Sequence, residues 1–145
     1  MLGIAASVLV AAEKPDFSGV WKIDVSATKT EPFPLPKTST LTLTVVHRDP
    51  ELSVSQRTDG GLPRDYQYKT NGEKTENLSP HDVKLQSEAT WAGAELVIRT
   101  AMSAAAGAAK MEDRWTLSAD GKTLTIVKTS PMLRGKSTYT YRRGR

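Results

Sequence analysis

Hydrophobic and polar residues alternate in short runs along most of the chain, and no stretch sustains the period of an amphipathic helix. Phe17 to Val25 places Trp21, Ile23 and Val25 on one face and Lys22 and Asp24 on the other. Thr40 to His47 sets Leu41, Leu43, Val45 and His47 against threonines, and after Asp49-Pro50 the chain returns through Leu52, Val54 and Gln56. Tyr66 and Tyr68 share a face of Arg64 to Thr70, and Asn71-Gly72 reads as a hairpin turn into Glu73 to Leu78. Val83 to Trp91, Glu95 to Met102, Lys110 to Ser118, Thr123 to Thr129 and Lys136 to Arg143 complete the pattern. Turn signals at Asp59-Gly60-Gly61, Ala92-Gly93 and Asp120-Gly121 separate these runs.

Nine or ten strands joined mainly by short hairpins predict an all-β chain folded as a single antiparallel up-and-down β-barrel, a closure that removes exposed edges. Two segments depart from the alternation. Ser26 to Ser39 carries Pro32, Pro34 and Pro36, which block ladder pairing and keep the chain extended, so it reads as a stiff loop that partly covers the barrel mouth. Ala101 to Ala109 is uncharged and rich in alanine and glycine, and reads as a flexible hairpin tip, with one short helical turn as the other reading.

At 145 residues the chain is one domain with room for a real core. A mean hydropathy of −0.41 fits strands with one wet face. The absence of cysteine excludes disulfides, thiolate metal sites and thiol nucleophiles. Residues 1–12 (MLGIAASVLVAA) are apolar, uncharged and end in small residues, so they read as the remnant of a secretory signal, with residues 13–145 as the barrel domain. The expected location is therefore periplasmic or secreted. An N-terminal strand or short helix packed on the barrel is the other reading of that segment.

Charge is unevenly spread. All 16 acidic residues lie at or before Asp120, whereas seven basic residues follow it (Lys122, Lys128, Arg134, Lys136, Arg142, Arg143 and Arg145). A basic C-terminal face of this kind is compatible with membrane contact or with a solvated outer surface. Nucleic acid is excluded as a partner, because no aromatic stacking platform or binding motif accompanies the charge.

Gly19-x-Trp21 at the start of the first strand, the long loop after it, the hairpin order and the late Arg142 or Arg143 together resemble the lipocalins and wider calycin barrels. Phe17 to Lys22 and Trp115 to Leu124 are also similar to segments of small secreted lipocalin-like bacterial proteins. The resemblance implies that Trp21 closes one end of the barrel, with Arg142 or Arg143 packed across its ring. It further implies a cavity for a small lipophilic or amphipathic molecule. The chain lacks a clear helix before its last strand and a cysteine pair, and its last histidine, His81, comes too early for a haem ligand.

The residues offer little organised chemistry. His47 falls on an inward-reading position, where it could serve a ligand or a proton transfer, or simply end its strand at the rim. Tyr66 and Tyr68 line a pocket, fill the core or cover the outer surface. Gln56 and Asp113 are polar residues on apolar faces and need partners there. Trp91 and Trp115 read as core or as ligand platforms. Histidines this far apart make no metal site, and no nucleophile elbow or phosphate loop is present.

These readings converge on a non-enzymatic bacterial envelope carrier, monomer or homodimer, without cofactor. Tyr66, Tyr68, His47, Gln56 and Trp91 are its expected ligand-binding residues, with Gly19, Trp21, Arg142 and Arg143 as framework. The rival readings are a barrel enzyme of isomerase or cyclase type using His47 and Asp113, and a protein-interaction module using the basic C-terminal strands.

Overall fold

The computed structural model describes residues 14–104, 107–131 and 135–144; the expected signal segment lies outside the described residues. Ten strands form one antiparallel sheet: β1 (Gly19–Ile23), β2 (Thr42–Arg48), β3 (Glu51–Arg57), β4 (Arg64–Lys69), β5 (Thr75–Leu78), β6 (Lys84–Ala92), β7 (Glu95–Ala104), β8 (Gly107–Leu117), β9 (Thr123–Thr129) and β10 (Lys136–Arg143). Each strand pairs with its sequence neighbours except β4 with β5, and β1 pairs with β10 as well. The sheet order runs β4-β3-β2-β1-β10-β9-β8-β7-β6-β5, so β1 and β10 close the barrel through Trp21 opposite Arg143 and Ile23 opposite Tyr141. The sheet edges, β4 and β5, face each other without a backbone ladder.

Asn77 bridges that gap. Its side-chain Oδ1 accepts from Gln67 N–H and its Nδ2 donates to Gln67 O, both at 2.9 Å. A primary amide has one carbonyl and one donor in the geometry of a peptide group, so one side chain imitates one rung of the missing ladder. The Asn71-Gly72 turn is present, with Gly72 in the left-handed region, but its two arms do not pair as an ordinary hairpin.

Topology gives the barrel two unlike ends. Residues 14–18 and the turns β2–β3, β4–β5, β6–β7 and β8–β9 gather at one; the long β1–β2 loop and the remaining turns surround the other. Alternation sends Trp21, Leu43, Val45, Leu52, Val54, Ala89, Leu96, Ile98, Trp115, Leu124, Ile126 and Tyr141 inward, where all are buried. Phe17 joins them from outside any strand, fully buried as a stopper in the first end.

Two expectations change. Most of the Ala101 to Ala109 segment is ladder: Ala101, Met102 and Ser103 pair with Lys110, Ala109 and Ala108, and Ala104 pairs with Gly107, while residues 105–106 lie outside the described residues. Alanine and glycine carry too little hydrophobic contrast to show a period of two, while backbone pairing needs none. The proline-rich loop begins as a strap along β10, with Lys29 and Thr138 exchanging backbone hydrogen bonds at 2.7 and 2.8 Å and Glu31 N–H reaching Ser137 Oγ at the rim. Beyond it Phe33 is 78 % exposed, so its ring does not plug the mouth.

Candidate functional site

The closed end is built around Gly19-x-Trp21. Trp21 is fully buried, and its Nε1 donates to Phe17 O at 2.9 Å. Arg143, not Arg142, covers the indole, with its guanidinium carbon 4.2 Å from the ring centroid. Its Nη1 and Nε donate to the carbonyls of Ser18 (2.9 Å) and Gly121 (3.0 Å), which fixes the fork over the ring. Gly19 has φ of +143°, and a Cβ there would collide with Arg143 Nη1. Arg142 points outward to Asp24 (3.0 Å) and Thr123 (2.8 Å).

His47 belongs to the same closure. Its Nδ1 accepts from Phe17 N–H at 3.1 Å, so the ring proton sits on Nε2, which faces Asp49 Oδ1 at 2.6 Å. Asp49 also accepts from Thr70 Oγ1 at 2.8 Å. Desolvation pushes the Asp49 carboxyl up, but hydrogen bonds from Thr70 and His47 outweigh it and hold the group below its ordinary value. Phe17 packs near-parallel beside both His47 (5.7 Å) and Trp91 (5.9 Å) and meets Trp115 edge-on (5.5 Å). Both His47 nitrogens are thus committed to the plug. The indole N–H groups of Trp91 and Trp115 are buried without an acceptor among the described residues.

Above this floor the inner wall changes character. Asp113 on β8 and Lys128 on β9 are direct cross-strand partners on the inward face, with Nζ 3.4 Å from Oδ2. Lys128 Nζ lies 5.7 Å from the Tyr139 ring centroid. Tyr66 and Tyr68 form one ring pair on β4 (6.3 Å), and Tyr139 and Tyr141 another on β10 (6.5 Å). Desolvation, followed by the charge of Asp113 and then Tyr66, pushes the Tyr68 hydroxyl well above its ordinary value; Tyr141 is pushed up by desolvation, then by Tyr139 and Asp113. The Asp113 field therefore reaches tyrosines on both β4 and β10. None of the four tyrosine hydroxyls bonds to another protein group among the described residues. Ser87 and Thr100, inward on β6 and β7, bond to each other at 2.7 Å.

The expected ligand-binding residues are therefore divided. Tyr66, Tyr68 and Gln56 stand on the β3–β4 wall, while His47 and Trp91 stack at 5.8 Å within the closed end. His47 and Asp113 bond to different partners, His47 to Phe17 and Asp49 and Asp113 to Lys128. Lys128 escaped the sequence reading, because it counted only toward the basic tail. Leu124-x-Ile126-x-Lys128 was the available signal, since it sets the lysine on an apolar face. Three of the C-terminal charges have separate partners: Arg143 covers Trp21, Arg142 meets Asp24, and Lys128 meets Asp113.

Two depressions lie outside the barrel interior. One of about 510 Å³ crosses the outer face of β6–β9, where Lys74 pairs with Glu88 (3.8 Å) and Arg99 with Glu112 (3.2 Å). Another of about 790 Å³ lies by Lys14, Asp16 and Glu95 at the closed end. Among the described residues no group of three or more histidine, cysteine or acidic residues could hold a metal ion.

No protein-family model matches the chain, and no curated protein matches its sequence. Solved structures do match its shape. Lipid binding protein 8 (LBP-8) of Caenorhabditis elegans superposes with a TM-score of 0.68 at 11 % identity, over 88 % of this chain and 95 % of that one. Human cRBP IV gives 0.68 at 12 % identity, over 90 % and 99 %. Secretory abundant heat soluble protein 4 of Ramazzottius varieornatus gives 0.69 at 15 %, over 92 % and 99 %. With a ten-stranded, nearly closed antiparallel barrel capped by Trp21 and Arg143, the chain has the calycin-type fold.

Proposed function

We propose that the protein is a binding or carrier protein for a small lipophilic or amphipathic molecule, held in the barrel interior. The observation that carries this reading is the inner wall between the two ends. Inward tyrosine hydroxyls without protein partners and the Asp113–Lys128 pair stand above an apolar floor. A folded interior seldom leaves inward polar groups unmatched unless water or a ligand meets them. Among the described residues, three of the four large hydrophobic residues that are clearly exposed, Phe33, Leu62 and Leu78, belong to the open end, the side from which an apolar molecule would enter. The similar structures include proteins described as a lipid binding protein, a fatty acid transporter and a fatty-acid-binding protein.

Apolar ligand surface would supply most of the affinity, at about 25 cal/mol per Å² buried, with the polar groups orienting the head. Export to a bacterial periplasm or beyond is part of the proposal and is supported by the apolar segment Met1 to Ala12. Native mass spectrometry of the protein purified from a periplasmic fraction, followed by denaturing extraction, tests it. A reproducible bound small molecule is expected. Protein that is empty and also fails to bind the neutral dye Nile red would overturn it.

A further inference from the structure

We propose that the Asp113–Lys128 site selects an uncharged head group carrying both a hydrogen-bond donor and an acceptor, such as a primary amide, over a carboxylate on the same alkyl chain. This rests on the interior-ligand reading above and adds the chemical class of the ligand.

The argument begins with sequence spacing. Trp115-x-Asp113 on β8 and Ile126-x-Lys128 on β9 put one acid and one base on the inward face, and the β8–β9 register sets them opposite each other. Their side chains are 24 % and 44 % exposed, enclosed enough for their fields to act inside the barrel. An ammonium has three donors and a carboxylate has about four acceptor positions, so their mutual contact leaves both with free capacity. The site consequently offers donors from Lys128 and acceptor positions from Asp113 at zero formal charge. Tyr68 and Tyr141 add hydroxyl donors that stay protonated under any ordinary condition, because burial and the Asp113 charge oppose their ionisation.

A ligand carboxylate could take the Lys128 donors only by lying close to the Asp113 carboxylate. Two like charges a few ångströms apart in an enclosed site disfavour each other strongly, and one of them must take up a proton to remain. An amide meets both partners without that conflict, its carbonyl accepting from Lys128 or a tyrosine and its N–H donating to Asp113. The other inward-register cations are at the two ends: Arg143 is committed to Trp21, Ser18 and Gly121, and Arg64 stands exposed at the rim. Neither offsets Asp113 where the head group would sit.

The experiment is displacement of Nile red at neutral pH by hexadecanamide, hexadecanoate and hexadecylamine, in the unsubstituted protein and in Asp113→Asn and Lys128→Gln. Hexadecanamide is expected to displace the dye at a concentration at least about tenfold lower than hexadecanoate. Asp113→Asn leaves the lysine unneutralised and should shift preference to hexadecanoate; Lys128→Gln leaves the acid unneutralised and should shift it to hexadecylamine. Because the two substitutions move selectivity in opposite directions, either one, shown to fold by its thermal transition, suffices. Hexadecanoate binding best in the unsubstituted protein, or a ligand order unmoved in a folded variant, would overturn the proposal while leaving the carrier reading intact. Failure to bind Nile red and all three probes would bring down the carrier reading and this proposal with it.

Discussion

Arg143 lies over Trp21 with its guanidinium carbon 4.2 Å from the ring centroid, so the last strand clamps the first at the closed end of the barrel. The contact combines cation–π attraction, side-chain packing and two carbonyl hydrogen bonds. Arg143→Ala is expected to cost about 2 kcal/mol, which lowers the thermal midpoint by roughly 4–8 °C for a domain of this size. Gly19→Ala should cost a similar amount, about 1–3 kcal/mol, through its positive φ and the collision with Arg143. Arg142→Ala, which loses an outer contact to Asp24, should fall within about 1 kcal/mol of the unsubstituted protein. Thermal unfolding of the three variants checks the order.

Asn77 carries the only hydrogen-bonded link across the β4–β5 gap among the described residues. Asn77→Ala removes both bonds to Gln67 and leaves its backbone groups without their partner, at a cost of about 1–3 kcal/mol. The Gln67 amide should then lose protection in hydrogen exchange while amides of the β7–β8 ladder keep theirs. Unchanged protection at Gln67 would mean that the gap is held by packing alone.

Acid should loosen the closed end first. The Ser18 backbone N–H, with smaller help from the Ser18 hydroxyl and the Arg143 charge, holds the Asp16 carboxyl below its ordinary 3.8. Asp49 is held low by Thr70 and His47 against its desolvation. Groups with depressed native values contribute stability that is present above the unfolded value and is lost as pH falls through the native one. The thermal midpoint should therefore hold down to about pH 4 and fall below it, with a shallower fall in Asp49→Asn.

Alkali acts through the tyrosines. Tyr68 and Tyr141 are raised above 10.0 in the folded protein, chiefly by desolvation. A raised native value leaves stability intact below the unfolded value and removes it as pH rises above that point, because the unfolded chain ionises first. Tyrosinate absorbance should show a late component that appears together with unfolding above about pH 10. Tyr68→Phe or Tyr141→Phe should reduce that component.

Much of the barrel was legible in local pattern. Leu41, Leu43, Val45 and His47 fall on the inward face as their alternation requires, and Gly93 and Gly121 turn the chain where dipeptide signals place turns. Hairpin order then leaves few alternatives to an up-and-down sheet, because consecutive antiparallel strands pair with their neighbours. The Ala101 to Ala109 ladder was hidden, since its backbone pairs without any contrast of side chains. Asn77 was hidden too: nothing in the local pattern marks its amide until the missing ladder beside Gln67 gives it a purpose.

By itself, then, the sequence determined a barrel of nine or ten strands and its inward faces, because alternation and turn chemistry are local properties; the capping of Trp21 by a late arginine was implied by the resemblance. Tertiary structure alone decided that Arg143 rather than Arg142 meets Trp21, since one residue of register sends a side chain to the opposite face. It also committed His47 to a plug with Phe17 and Asp49, and drew Lys128 out of an apparently basic tail to face Asp113. Those relationships join residues that are distant in the chain or divided between strands. Charge and polarity along a sequence do not show which of them share the inside of a closed barrel.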